Sequence, residues 1–260
     1  MNENAIQRSA LVYIGVILVF LYAPLLVMML MAFNESRINQ LPIIFDLVWF
    51  ERLAQNDRLI AATSNSIILA GTTSVIATVL GTFASLGLNA TGRRGKALLQ
   101  LFLIPPITIP WLIFAVALLI MFFWLRVDRS LVTLMFGHVT VQIPYVILIV
   151  SARFATVDRS YEDAAASLGA PPLRVFLLVT LPLILPAVVA AFAFAFAISF
   201  DNFVVSYFLS PPGVSTLPIE IYTAIRTGFT PEINAVSTIV FVISVVCVIP
   251  AARYLRFNFN

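Results

Sequence analysis

Apolar residues in this chain come in uninterrupted runs of twenty or so positions rather than in amphipathic stripes. Runs of about 20 apolar residues are the signature of membrane-spanning helices. Six can be marked: Leu11–Phe33, Ser66–Leu88, Leu98–Leu125, Leu131–Ala152, Val175–Ser199 and Val236–Ala252. In hydrocarbon every backbone N–H and C=O must be paired within the protein, which makes a helix the economical form for each run. The pattern predicts an all-α integral membrane protein with six transmembrane helices and one domain over residues 1–260. The first run exceeds the apolar region of a signal peptide, about 7–15 residues, and is read as a retained span.

The polar connections set the topology. Six spans place both termini on one side. The short turn Thr91-Gly92-Arg93-Arg94-Gly95-Lys96 is strongly basic and marks that side as cytoplasmic, while most acids fall on the other. Three connections are longer than tight turns. Asn34–Asn65 carries a candidate interfacial helix around Trp49–Leu53, where aromatic rings favour the headgroup level. Ser210–Asn234 opens on the turn signal Pro211-Pro212-Gly213 and runs through a mixed stretch, Leu217–Arg226. It closes on Thr230-Pro231-Glu232, a cap, a proline and a first-turn acid ahead of the sixth span. The third, Arg153–Arg174, lies inside.

Composition agrees. Hydrophobic residues make up 61% and charged residues 10% of the chain, against about 25% charged in soluble domains. Twelve acids and fifteen bases form no basic block, so no nucleic-acid partner is expected; membrane lipid is. The single cysteine, Cys247, excludes an intrachain disulfide. The single histidine, His138, lacks clustered Cys, His or carboxylate companions and any nucleophile elbow, so neither a metal site nor a catalytic site is expected. A lone histidine in a span most often makes one interhelical hydrogen bond.

The inner connection has its own order. Ser160-Tyr161-Glu162-Asp163 has capping-box spacing, with acids where the helix dipole favours them. Ala164, Ala165 and Ala166 are strong helix formers that let another surface approach closely. Gly169 suits a left-handed C-terminal cap, and Pro171-Pro172 blocks continuation. A two-turn helix over about residues 160–170 is predicted. A helix that short is held by packing, either on the chain's own spans or against a partner.

Asp163-Ala164-Ala165, three residues, Gly169, nine residues, Val179-Thr180-Leu181-Pro182 resembles the EAA loop of permease subunits in binding-protein-dependent ABC importers. Asp163 stands for that pattern's glutamate and Val179 for its isoleucine. Tyr22-Ala23-Pro24, Asn65-Ser66, Gly137-His138-Val139-Thr140, Ser199-Phe200-Asp201-Asn202, Leu217-Pro218-Ile219 and Pro231-Glu232-Ile233-Asn234-Ala235 look like the spermidine/putrescine branch, over nearly the whole chain. The resemblance implies a type I ABC importer permease fold in the bacterial cytoplasmic (inner) membrane. It makes the 160–170 helix a cytoplasmic coupling helix, with Glu162, Asp163, Ala164, Ala165, Ser167 and Gly169 meeting an ATPase. Implied partners are two ATPase subunits, which would bind ATP and Mg, a second permease subunit, a related sister chain in the resembled branch, and an extracytoplasmic solute-binding protein. This chain has no Gly-x-x-x-x-Gly-Lys-Ser/Thr loop and a single lysine, Lys96, so it is not the ATPase and is expected to hold no cofactor.

For the solute pathway the candidates are Asp201, an ionisable residue at a span end, with Asn202, Pro110, Trp111 and Tyr207. Pro105, Pro106 and Pro110 are expected to bend the third span. The resembled branch usually has Pro-Asp where Pro110-Trp111 stands here, and a second acid at Asn202. Fewer carboxylates point to a small nitrogenous organic solute less cationic than spermidine. Two other classes are compatible with the composition. An ion-coupled secondary transporter would use broken helices and midplane charges but needs no capped inner helix. An intramembrane serine protease would need a nucleophile context that no serine here has.

Overall fold

The computed structural model describes residues 3–38, 40–91, 101, 103, 105–158, 160–228 and 230–259. Among them the chain is helical, with one isolated antiparallel bridge between Asn34 and Phe45. The helices are α1 (Glu3–Ala32), α2 (Val48–Ala54), α3 (Asp57–Ala90), α4 (Trp111–Trp124), α5 (Leu131–Phe154), α6 (Ser160–Ser167), α7 (Pro172–Val175), α8 (Leu181–Phe200), α9 (Phe203–Leu209), α10 (Leu217–Thr227) and α11 (Glu232–Phe259). A wide π-turn, Phe176–Thr180, joins α7 to α8, so Pro172–Phe200 is one continuous helical rod.

Among the described residues four segments are long and apolar enough to cross a membrane: Ala10–Ala32, Asp57–Asn89, Leu131–Phe154 and Pro172–Phe200. Of two shorter apolar helices among these residues, Trp111–Trp124 falls within the third expected span and Glu232–Val246 overlaps the sixth, beginning four residues before it. The basic turn at Arg93, Arg94 and Lys96, and the start of the third expected span, lie outside the described residues.

The chain divides into two compact units, one formed by the chain up to Ile60 and from Ile221 onward, the other by Ala61–Glu220. In the first, α2 lies where an interfacial helix is expected, and its Trp49 is buried within the chain. Its Nε1–H donates to the Asn34 carbonyl at 2.6 Å, and the Arg52 guanidinium sits 5.0 Å from the centre of its ring. A buried indole needs such an acceptor.

In the second unit two apolar clusters form the core. One joins Leu69, Leu118, Leu134, Val141, Val205 and Leu209; the other joins Ala77, Val146, Val150, Ile184, Ala191 and Ala195. α5 runs through both, started by a capping box in which the Ser130 and Thr133 side chains each accept from the other's backbone N–H. The start of α10 is pinned to α3: Leu217 N–H donates to Ser66 Oγ at 2.8 Å and Asn65 Nδ2 to the Ser215 carbonyl at 3.0 Å. The third expected span is broken, not merely bent. A helical turn ends at Thr108, Pro110 is extended (φ −55, ψ 132), and α4 begins afresh at Trp111.

α3 and α5 touch through a glycine. A Cβ added at Gly81 would lie 2.6 Å from Val146 Cγ1 and 2.7 Å from Val146 Cβ. Gly81→Leu is therefore expected to force these helices apart and cost about 1–3 kcal/mol. A lowered unfolding midpoint of the detergent-solubilised protein would register it, while Gly71→Leu, whose added carbon meets nothing within 4 Å, serves as the control.

Candidate functional site

The inner helix is fixed at both ends, though its first cap differs from the expected one. Asp158, not Ser160, supplies it: Asp158 Oδ1 accepts from the Ser160 backbone N–H at 2.9 Å. That hydrogen bond, with a second from the Ser160 side chain, holds the Asp158 carboxyl below its ordinary range. Ser160 is already the first helical residue. Both residue types cap well, so the sequence allows either, and the backbone selects the one whose oxygen reaches the free N–H.

The far end closes as a Schellman motif. Gly169 has φ +82, its N–H donates to the Ala166 carbonyl at 2.9 Å, and Ala170 N–H donates to the Ala165 carbonyl at 3.2 Å. Pro171 then stops the chain from continuing helically. Between these caps Asp163, Ala164, Ser167 and Gly169 are exposed, and Glu162 and Ala165 are half-buried. Ser167 Oγ donates to the Asp163 carbonyl, and Leu168 stands 90% exposed.

Glu162 faces inward. Its Oε1 accepts a 2.6 Å hydrogen bond from Thr180 Oγ1, and Thr180 is buried. Thr180 closes the π-turn in which Leu181 N–H reaches back to the Phe176 carbonyl, one residue further than in an α-helix. The next residue, Pro182, has no N–H to offer. Arg153, in the last turn of α5, donates from Nε to the Leu183 carbonyl at 3.0 Å. The short helix and the base of the α8 rod are thus joined by a directed hydrogen bond. The two halves of the sequence motif, eighteen residues apart at Glu162 and Thr180, meet in space. Nothing in the sequence named this pairing, because Thr180 occupies the motif's unspecified position.

A second arrangement escaped sequence reasoning. His138 is buried and uses both ring nitrogens: Nδ1 lies 2.8 Å from Ser199 Oγ and Nε2 lies 3.1 Å from Ser206 Oγ. Ser199 Oγ lies 3.0 Å from Thr73 Oγ1, which also accepts from Gln142 Nε2 at 3.0 Å and sits 2.7 Å from the Leu69 carbonyl. The directions follow from donor chemistry. The Leu69 carbonyl can only accept, so Thr73 spends its proton there and accepts from Ser199. Ser199 then accepts from His138, which carries its proton on Nδ1, and Nε2 accepts from Ser206. Five residues on α3, α5, α8 and α9 form one ordered chain between the two apolar clusters. Single serines and threonines inside apolar runs carry no periodic signal that would have revealed it.

The expected pathway residues divide. Asp201 is exposed at the α8–α9 corner, and Tyr207 is exposed, its ring 5.2 Å from that of Phe203 and 5.5 Å from that of Phe208. Asn202 is buried, and its Oδ1 caps α9 by accepting from Val205 N–H at 2.9 Å. It shapes the corner beside Asp201. Pro110 is exposed at the helix break, and Trp111 packs half-buried on the core cluster that holds Val205 and Leu209. A cavity of about 210 Å³ near Ser85, Ser151 and Phe154, and one of about 330 Å³ near Phe122 and Arg129, include none of these five. Asp201 and Tyr207 therefore stand on open surface of the single chain.

Residues 77–258 match the family described as binding-protein-dependent transport system inner membrane component. The chain is 34% identical over 249 residues to the putrescine transport system permease protein PotI of Escherichia coli (strain K12), covering 92% of this chain and 89% of that one. It is 32% identical over 244 residues to the spermidine/putrescine transport system permease protein PotC of the same organism, covering 94% and 92%. A chain of a bacterial ABC transporter involved in the import of the acidic polysaccharide alginate superposes with a TM-score of 0.76 at 18% identity, covering 97% of both chains. The fold is thus that of type I importer permeases.

Removing the centre of the hydrogen-bond chain leaves buried hydroxyls without partners. His138→Leu is expected to cost about 1–3 kcal/mol of stability for each hydroxyl so stranded. In a double-mutant cycle, Ser206→Ala should cost far less in the His138→Leu background than alone. Nitrogen NMR of the labelled histidine should find the proton on Nδ1; a proton on Nε2 would refute the assigned directions.

Proposed function

Because this chain belongs to the family of binding-protein-dependent transport system inner membrane components, we propose that it is the permease subunit of an ATP-driven importer and forms half of a solute pathway. Two cytoplasmic ATPase subunits, binding ATP and Mg, supply the work; a related sister permease supplies the other half; an extracytoplasmic binding protein delivers the solute. Both termini face the cytoplasm, with six spans in a bacterial inner membrane. The chain is a transport subunit and not an enzyme.

One observation carries this reading: an exposed helix, capped at both ends, is hydrogen-bonded through Glu162 to the base of a membrane-length rod. Its outward face offers Asp163, Ala164, Ser167 and Gly169 to an ATPase surface. Movement of that helix is passed to α8 through Thr180, and α8 ends at Asp201. An isolated two-turn helix would fray in water, so the fixed ends and the inward bond give it the stiffness a coupling element needs.

The cargo is a small nitrogenous organic solute, a polyamine or a related compound. The relatives' names support the amine, and Trp111 and Asn202, where the resembled branch usually has acids, support a smaller positive charge. Asp201 is the carboxylate for a cationic nitrogen, with Tyr207 and Trp111 offering aromatic faces at the corner and at the Pro110 break.

Gly169→Arg is expected to leave the assembled complex intact while uptake and binding-protein-stimulated ATP hydrolysis no longer run together. Normal coupled uptake would sink the coupling assignment. Thr180→Val, which keeps the shape and deletes the donor, should weaken coupling without loss of assembly. Asp201→Asn should alter solute uptake while basal ATP hydrolysis is retained; unchanged uptake kinetics would remove Asp201 from the pathway. Mass spectrometry of the ligand on the purified binding protein identifies the cargo, and spermidine as its sole ligand would overturn the preference for a less cationic solute.

A further inference from the structure

The connection between α1 and α2 combines two properties that rarely occur together in a loop. Ile38, Leu41 and Phe45 are 69%, 75% and 74% exposed, and Ile43, Ile44 and Leu47 are exposed beside them. No charged residue occurs between Ile38 and Phe45. Part of the backbone of this loop is held by internal hydrogen bonds, while the N–H groups of Leu41, Ile43 and Phe45 take no part in them. Glu35 N–H donates to the Ile44 carbonyl at 3.0 Å and Asp46 N–H to the Phe33 carbonyl at 2.8 Å. The Asn34 side chain, fully buried, accepts from Ile44 N–H at 3.1 Å and donates to the Gln40 carbonyl at 2.8 Å. Ser36 Oγ accepts from the backbone N–H of Ile38 and Gln40.

A water-facing loop has no need to display a charge-free run of apolar side chains. At the interface such side chains reach the acyl region while backbone groups without an internal partner stay within reach of headgroups and water. The surface is also continuous with a helix long and apolar enough to cross a membrane. α1 is almost wholly exposed along its apolar length, and the loop follows directly from its end, with the Phe33 ring stacked on Phe45 at 5.6 Å. Charge returns only at the rims, at Glu35 and Arg37 on one side and Asp46 on the other.

We propose that loop Ile38–Leu47 is a membrane anchor that dips into the interface between headgroups and acyl chains, with Leu41 and Phe45 deepest, rather than a surface for a soluble protein. This rests on α1 spanning the bilayer and not on which face is cytoplasmic. Amphipathic interfacial elements settle about 5–10 Å into the headgroup–acyl boundary, and the Asn34 bonds give this one a fixed shape.

The test is spin-label accessibility in the assembled transporter reconstituted in phosphatidylethanolamine–phosphatidylglycerol bilayers. Single labels go at Leu41→Cys, Phe45→Cys, Val19→Cys and Glu35→Cys in a Cys247→Ser background. Leu41 and Phe45 should resemble Val19, relaxed by oxygen and shielded from a water-soluble nickel chelate, with Glu35 reversed. Labels at 41 and 45 that meet the chelate freely while Val19 does not would overturn the anchor and leave the spanning helix intact. Labels shielded from both reagents would overturn it in favour of a protein contact. Chelate access at Val19 would refute the spanning reading itself.

Discussion

In lipid no solvent stands ready to satisfy a polar side chain, so a buried hydrogen-bond chain constrains its helices far more tightly than apolar packing does. The sequence Ser206, His138, Ser199, Thr73 and the Leu69 carbonyl is such a chain. Apolar side chains on α3, α5 and α8 would tolerate small rotations against one another, since one methyl contact can replace another. The ordered hydroxyls cannot, because each has one proton and a fixed direction in which to give it. The layer lies between the two apolar clusters and holds the register of α3, α5 and α8 where α8 turns into α9. That corner carries Asp201, and Asn202 beneath it caps α9. The orientation of the proposed solute residues therefore depends on a buried histidine that holds Ser199 and Ser206 on either side of the corner.

The short helix α6 follows the opposite strategy. It leaves Asp163, Ala164, Ser167 and the adjoining Leu168 exposed and commits a single carboxylate, Glu162, inward to Thr180. One strong hydrogen bond in a half-buried setting transmits position without making the helix part of the core. A more deeply packed helix would move only with the whole bundle; a less attached one would move alone.

The sequence revealed the broad architecture because apolar runs and end-signals are local. The spans, the stop at Gly169 and the helix at Trp49–Leu53 follow from neighbours within a few positions. The misses are all non-local or degenerate. The burial of Trp49 depends on the carbonyl of Asn34, fifteen residues away, which no local signal names. Asp158 and Ser160 are both good caps two residues apart, and geometry alone separates them. Prolines at 105, 106 and 110 announced a disturbance, but whether the helix bends or breaks depends on how the next segment packs, and Trp111 packs on a different core. Of the histidine network only the interhelical bond of His138 was legible; its partners were not, since Thr73, Ser199 and Ser206 each look like an isolated polar residue in an apolar run.

The π-turn at Phe176–Thr180 has a further consequence. An α-helix advances about 100° per residue, so one extra residue in a single turn offsets everything before it by that angle relative to everything after. The nine residues between Gly169 and Val179 therefore fix an azimuth as well as a length. Were the wide turn to tighten to an α-helical one, the lower segment would swing about the axis by that angle relative to the upper one. The base of α8 is built less like a lever than like a screw thread with one loosened turn.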